Sequence, residues 1–111
     1  MLKRANRVVT GDDFRTTVRK GRRVATPHAL IYISRTDDAT PTRLGFIVSK
    51  AIGNAVTRNL VTRRLRSIGH EVVLARPTGS DFVVRALPGS QGVSWTTLQS
   101  EILDVLERSA G

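Results

Sequence analysis

At 111 residues and 40 % apolar content, the chain has the size and composition of one domain, residues 1–111, around a modest core, which excludes wholesale disorder. It has no cysteine and two histidines, His28 and His70, so disulfides, thiolate metal sites, a Cys nucleophile and a His-rich metal site are excluded too. The formal net charge is +9, and of 18 basic residues only Lys3, Lys20 and Lys50 are lysine; arginine offers a planar fork to phosphate and stacks on bases, so the balance points first to nucleic acid.

The opening MLKRANRVV is basic, and no apolar stretch follows it to make a secretory signal. No run approaches the roughly 20 apolar residues of a membrane span. With the missing cysteines, this fits a cytoplasmic chain without a membrane partner. Residues 1–10 read as an arm that packs a few apolar side chains. Thr10 stands three residues before Asp13, a capping-box-like spacing, and predicts a short helix over Asp12–Lys20 that stops at Gly21. Phe14 and Val18 share one face of it, Arg15 and Arg19 an adjacent one. Ala29–Ile33 (ALIYI) reads as a strand, and Pro27 marks an edge, a bulge or a break between two short strands. Asp37–Pro41 reads as a loop and Thr42–Ser49 as the next strand, so these two strands are expected to pair as an antiparallel hairpin.

The segment from Gly45 to Glu71, GFIVSKAIGNAVTRNLVTRRLRSIGHE, is the most one-sided part of the chain: no Asp or Glu occurs between Asp38 and Glu71. Ser49, Lys50, Gly53 and Asn54 lie at a strand-to-helix junction, where free N–H groups and the positive helix end favour an anion. The helix is expected from about Ala55 to Gly69 or beyond. At about 100° per residue, Val61, Leu65, Ile68 and Val72 gather on one side, and Arg58, Asn59, Thr62, Arg63 and Arg66 on the opposed side. Arg64 falls on the far flank of the apolar stripe. Solvated helices usually mix signs for i, i+4 pairing, and this one does not.

Beyond it, Asp81–Leu87 (DFVVRAL) reads as a strand. Ser94 caps a last helix on which Trp95, Leu98, Ile102 and Val105 recur at helical spacing, with Glu101, Asp104 and Glu107 on a solvated acidic side. His70 is expected near the end of the arginine-rich helix. The acids are scattered and neither histidine has an evident partner, so no protein-borne hydrolytic centre is read.

VSKAIGNAVTRN followed by TRRLR resembles the signature of the protein subunit of bacterial ribonuclease P. Lys50, Gly53, Ala55, Val56, Arg58, Asn59, Arg63 and Arg66 match it. Asn6-Arg7, Asp13-Phe14, Gly21, the strand ending in Tyr32 and the Asp81–Arg85 strand are similar to the rest of that family. Ala51, Leu60 and Thr62 depart from it at positions that are commonly basic, and Val18 at one that is often aromatic. The resemblance implies an α+β fold (an α/β sandwich, ribosomal protein S5 domain 2-like) of order αβββαβα, with a mixed four-stranded sheet and a left-handed βαβ crossover at the arginine-rich helix. Sequence patterning alone would suggest the usual right-handed connection. It implies an RNA-binding subunit of an endoribonuclease whose RNA carries the chemistry. The partners would be the ribonuclease P catalytic RNA and precursor tRNA, with no obligate protein partner and with Mg²⁺ bound mainly by the RNA. Ser49, Lys50, Gly53, Asn54, Arg58, Asn59, Arg63, Arg64 and Arg66 would meet the catalytic RNA. Asn6, Arg7, Phe14 and Tyr32 would form the cleft for the 5′ leader, and no residue of the chain would be catalytic.

The competing reading is a ribosomal-type or chaperone-like RNA-binding module with no catalytic partner RNA. A stand-alone protein nuclease is disfavoured by the lack of a catalytic cluster.

Overall fold

The computed structural model describes residues 2–109. A 3-10 turn at Arg4–Asn6 precedes α1 (Gly11–Lys20), followed by β1 (Arg22–Ala25), β2 (Ala29–Arg35), β3 (Arg43–Ile47), a 3-10 turn at Lys50–Ile52, α2 (Ala55–Ala75), β4 (Ser80–Ala86), a 3-10 turn at Ser90–Gly92 and α3 (Trp95–Arg108). The helices and strands therefore follow the expected αβββαβα order. Pro27 sits in the turn between β1 and β2, which pair antiparallel as two short strands.

The sheet runs β1-β2-β4-β3, with β4 antiparallel to β2 and parallel to β3. The expected β2–β3 hairpin is not formed, because β4 lies between its two arms. Two physical reasons agree. The connection 36–42 exceeds the usual hairpin loop of about 2–5 residues, and it docks instead on residues 76–79, through Thr36 N–H to Gly79 O, Thr42 N–H to Pro77 O and Gly79 N–H to Thr40 O. The run Ser80–Val84 is buried throughout, as a central strand covered on both faces requires. β3, α2 and β4 thus make one parallel βαβ unit.

α2 and α3 cover one face of the sheet. Ile31, Leu44, Phe82 and Val84 meet Val61, Leu65, Ile68 and Val72 from α2 and Leu98, Ile102, Val105 and Leu106 from α3 in one cluster. The void left among them is about 10 Å³, too small to seat a ligand. Alternate strand residues point to the other face. There Val8, Leu30 and Val83 are buried and α1 is laid across the sheet. Phe14 fits because residue 45 is glycine: a Cβ at Gly45 would stand 2.5 Å from the Phe14 ring.

Side chains clamp these layers. Thr10 caps α1 by accepting from Asp13 N–H, but Asp13 does not complete a capping box; its carboxylate binds Arg43 on β3 at 3.1 Å. Arg43 also forks onto Asp81 of β4. These two acids hold the Arg43 guanidinium even further above its ordinary value, the Asp81 hydrogen bond being the largest cause. At the far end, His28 and Glu101 correct the expectation of unpartnered residues. Glu101 Oε1 accepts from His28 N–H at 2.9 Å and Thr26 Oγ1 at 2.7 Å, while Oε2 lies 2.6 Å from His28 Nδ1. Glu101 is therefore not on a solvated face; it pins the β1–β2 turn to α3.

Candidate nucleic-acid interface

α2 begins where Asn54 accepts from Thr57 N–H. Gly53 ahead of it has φ +150°, a backbone state that side chains rarely adopt. This reversal leaves Ser49, Lys50, Gly53 and Asn54 exposed in front of the helix N-terminus, the expected seat for an anion. The side-chain oxygen of Asn54 is already engaged in capping.

The helix extends to Ala75, six residues past Gly69, and its buried side is the one the angles gave, with Gly69 added. His70 is consequently one turn inside the helix and not in its last turn. On the exposed side, Asn59, Arg63 and Arg66 line an open hollow of about 450 Å³ with Val56 and Thr62. Val56 is 78 % exposed, so the helix presents an apolar contact beside its cations. The Thr62 hydroxyl is folded back on the helix, donating to Arg58 O at 2.8 Å. Arg58 is half-buried, and its Nε has no hydrogen-bond partner among the described residues.

Arg63 and Arg66 also edge a second hollow of about 320 Å³, lined with Leu2, Arg7, Ser67 and His70. The N-terminal arm supplies Arg7. It lies parallel to β3, held by Val8 N–H to Leu44 O at 3.0 Å and by Asn6 Nδ2 donating to Thr42 O at 2.8 Å. Arg7, expected with the aromatic cleft, is thus brought to the arginine helix, and the Asn6 side chain serves to anchor the arm. Arg64 does not join its neighbours. Its Nη1 donates to Val93 O at 3.0 Å on the opposite flank, which ties α2 to the start of α3. On that flank Glu71 accepts from Gln99 Nε2 at 2.8 and 2.9 Å, so the one acid at the end of the segment is turned away from the arginines.

The second expected surface lies on the α1 side of the sheet. Phe14 is half-buried and lines a groove of about 370 Å³ with Arg15, Val18, Arg19 and Ile47. Tyr32 is half-buried and registers with Val83, which registers in turn with Gly45 beneath Phe14. The structure therefore gathers Phe14 and Tyr32 on one face and the exposed arginines of α2 on another. The Arg43 clasp and Arg85 were missed as structural features of this face. Their signal was a charged residue inside an apolar strand pattern.

Among the described residues no three His, Asp or Glu side chains come together as a metal site.

Comparison with known proteins gives the family and the fold. A family model described as Ribonuclease P matches residues 2–110. The chain is 46 % identical over 109 residues to the ribonuclease P protein component of Clavibacter michiganensis subsp. michiganensis, covering 98 % of this chain and 96 % of that one. It is 42 % identical to the same component of Streptomyces avermitilis, over 100 % of this chain and 97 % of the relative. The solved RNase P protein of Staphylococcus aureus superposes with a TM-score of 0.83 at 28 % identity, covering 96 % of this chain and 97 % of that one.

Proposed function

The chain belongs to the ribonuclease P protein family, the protein components of a ribonucleoprotein endonuclease of tRNA processing, and we propose that it binds the catalytic RNA through α2 and the 5′ leader of precursor tRNA through the α1 side of its sheet. One observation carries the first half. Asn59, Arg63 and Arg66 face solvent together with Arg7, while the nearest acid of the segment, Glu71, faces α3. Such a surface gains from releasing the counterions of a polyanion.

Ser49, Lys50 and Gly53 extend the surface past the helix N-terminus. Arg64 is left out of it, because its guanidinium is committed to Val93. The thinning caused by Leu60 and Thr62 is offset from a different element, the arm that carries Arg7.

The second half rests on Phe14 and Tyr32. Half-exposed aromatic faces on one side of a sheet suit unpaired bases with little preference for sequence. With its acids committed to Arg43, Arg15, His28 and Gln99, or scattered, the protein is assigned binding and orientation, while the hydrolysis and its Mg²⁺ are assigned to the RNA.

Reconstitution tests the reading. The protein, mixed with its cognate catalytic RNA and precursor tRNA at low Mg²⁺, should raise the rate of leader removal. No stimulation would defeat it, and cleavage by the protein without RNA would reassign the chemistry.

A further inference from the structure

The sheet face under α1 carries positive charge that its own acids do not answer. Across β2, β4 and β3, Leu30, Arg85 and Ile47 form one row; the next holds Arg23 on β1, then Tyr32, Val83 and Gly45. Arg85 is the one exposed residue of β4, a strand paired on both sides. Arg23 is exposed as well, and Arg19 rims the groove beside Phe14. The nearby acids are occupied: Asp81 and Asp13 hold Arg43, and Asp12 holds Arg15. Among the described residues neither Arg23 nor Arg85 has a carboxylate partner. Cross-strand neighbours normally neutralise a charge set in mid-sheet. Here the neighbours of Arg85 are leucine, isoleucine and the aromatic row.

We propose that Arg85 is the phosphate anchor of the leader track. It holds one phosphodiester of the single-stranded leader while Phe14 and Tyr32 stack on adjacent bases, and Arg23 continues the track toward β1. The proposal rests on the leader reading above and deepens it. The occupant is single-stranded RNA, because the cations lie among aromatic faces that only unpaired bases can reach. Arg85 stands two residues along β4 from Val83, about 7 Å, so anchor and stacking row fit within neighbouring nucleotides.

The test uses holoenzyme reconstituted with Arg85→Gln and a series of precursors of increasing leader length. Glutamine keeps the length and removes the charge, and the site is exposed, so folding is preserved. Affinity should fall about tenfold once the leader is long enough to reach β4, with a salt slope lower by about 0.7. Leaderless tRNA and the shortest leaders should bind as to wild type. Arg22→Gln, which removes an equal charge from the other face of β1, should change nothing. Unchanged affinity at every leader length overturns the proposal, and so does an equal loss on leaderless tRNA. Catalytic-RNA binding, measured in parallel, separates the two levels: if wild-type protein does not assemble, the parent reading fails. If wild type assembles and Arg85→Gln does not, the arginine belongs to the other interface and this proposal alone fails.

Discussion

Arg43 grips Asp81 with two nitrogens, Nε to Oδ1 at 3.0 Å and Nη2 to Oδ2 at 2.7 Å, and reaches Asp13 with the third. One side chain thereby fastens α1 to the two parallel strands, one row beyond Tyr32, Val83 and Gly45 on the face of the proposed leader track. The position of Phe14 is set by this clasp as much as by packing.

Breaking the clasp from the Arg43 side leaves the Asp81 carboxylate, only 8 % exposed, without its cation. We expect Arg43→Met to cost about 2–3 kcal/mol, below the range for a fully buried pair because Arg43 keeps some water. The midpoint of urea unfolding reads it. A cost under about 0.5 kcal/mol would reduce the clasp to an ordinary surface pair.

Burial, the largest single influence on Glu101, pushes its carboxyl up, but the hydrogen bonds from the His28 ring, Thr26 and the His28 backbone together hold it below the ordinary 4.5. A carboxyl depressed in the folded state stabilises the fold above its unfolded value, and that stability is lost as pH falls through the folded value. Glu101→Gln should therefore be less stable than wild type by about 1–2 kcal/mol at pH 7, and the gap should close below pH of about 4. A gap independent of pH would mean that geometry, not charge, holds the turn.

The arginines of α2 should separate into two classes. Arg7→Ala, Arg63→Ala and Arg66→Ala should each weaken binding of the catalytic RNA and flatten its salt dependence by roughly one unit of slope. Arg64→Ala should leave the slope alone and cost about 1 kcal/mol of stability through the lost bond to Val93. Equal slopes for Arg63→Ala and Arg64→Ala would dissolve the distinction.

Gly45→Ala should lift α1, since the new methyl would stand 2.5 Å from Phe14 Cε1 and 3.1 Å from Val8 Cβ. Overpacking of this kind costs about 1–3 kcal/mol. Adding Phe14→Leu should recover part of the loss. If the double variant is no better than the sum of the two singles, the contact is not the cause.

Local signals were legible in the sequence to the extent that they repeat. The α2 stripe from Val61 to Val72, the Ser94 cap and the Thr10 cap follow from periodicity and capping chemistry. Pairings between distant segments carry no such period. The place of β4 between β2 and β3 depended on its being apolar on both faces, a feature present in DFVV but outweighed by the proximity of β2 and β3 in the chain. Partners far apart in sequence were missed for the same reason: His28 with Glu101, Arg43 with Asp81, and Arg64 with Val93. For the candidate site, the exposed face of α2 was readable by angle, whereas the move of Arg7 to that face required knowing where the arm lies.

The same arm has a second consequence. The sheet has two edge strands, and unpaired edge backbone invites pairing with another copy. At β1 the edge carries Arg22 and Arg23, whose charge discourages that approach. At β3, with its apolar Leu44 and Phe46, the arm takes the place of a fifth strand. Removing residues 2–8 would strip Arg7 from the proposed RNA-facing side and open β3 to a neighbouring molecule, so self-association should rise in step with the loss of RNA affinity.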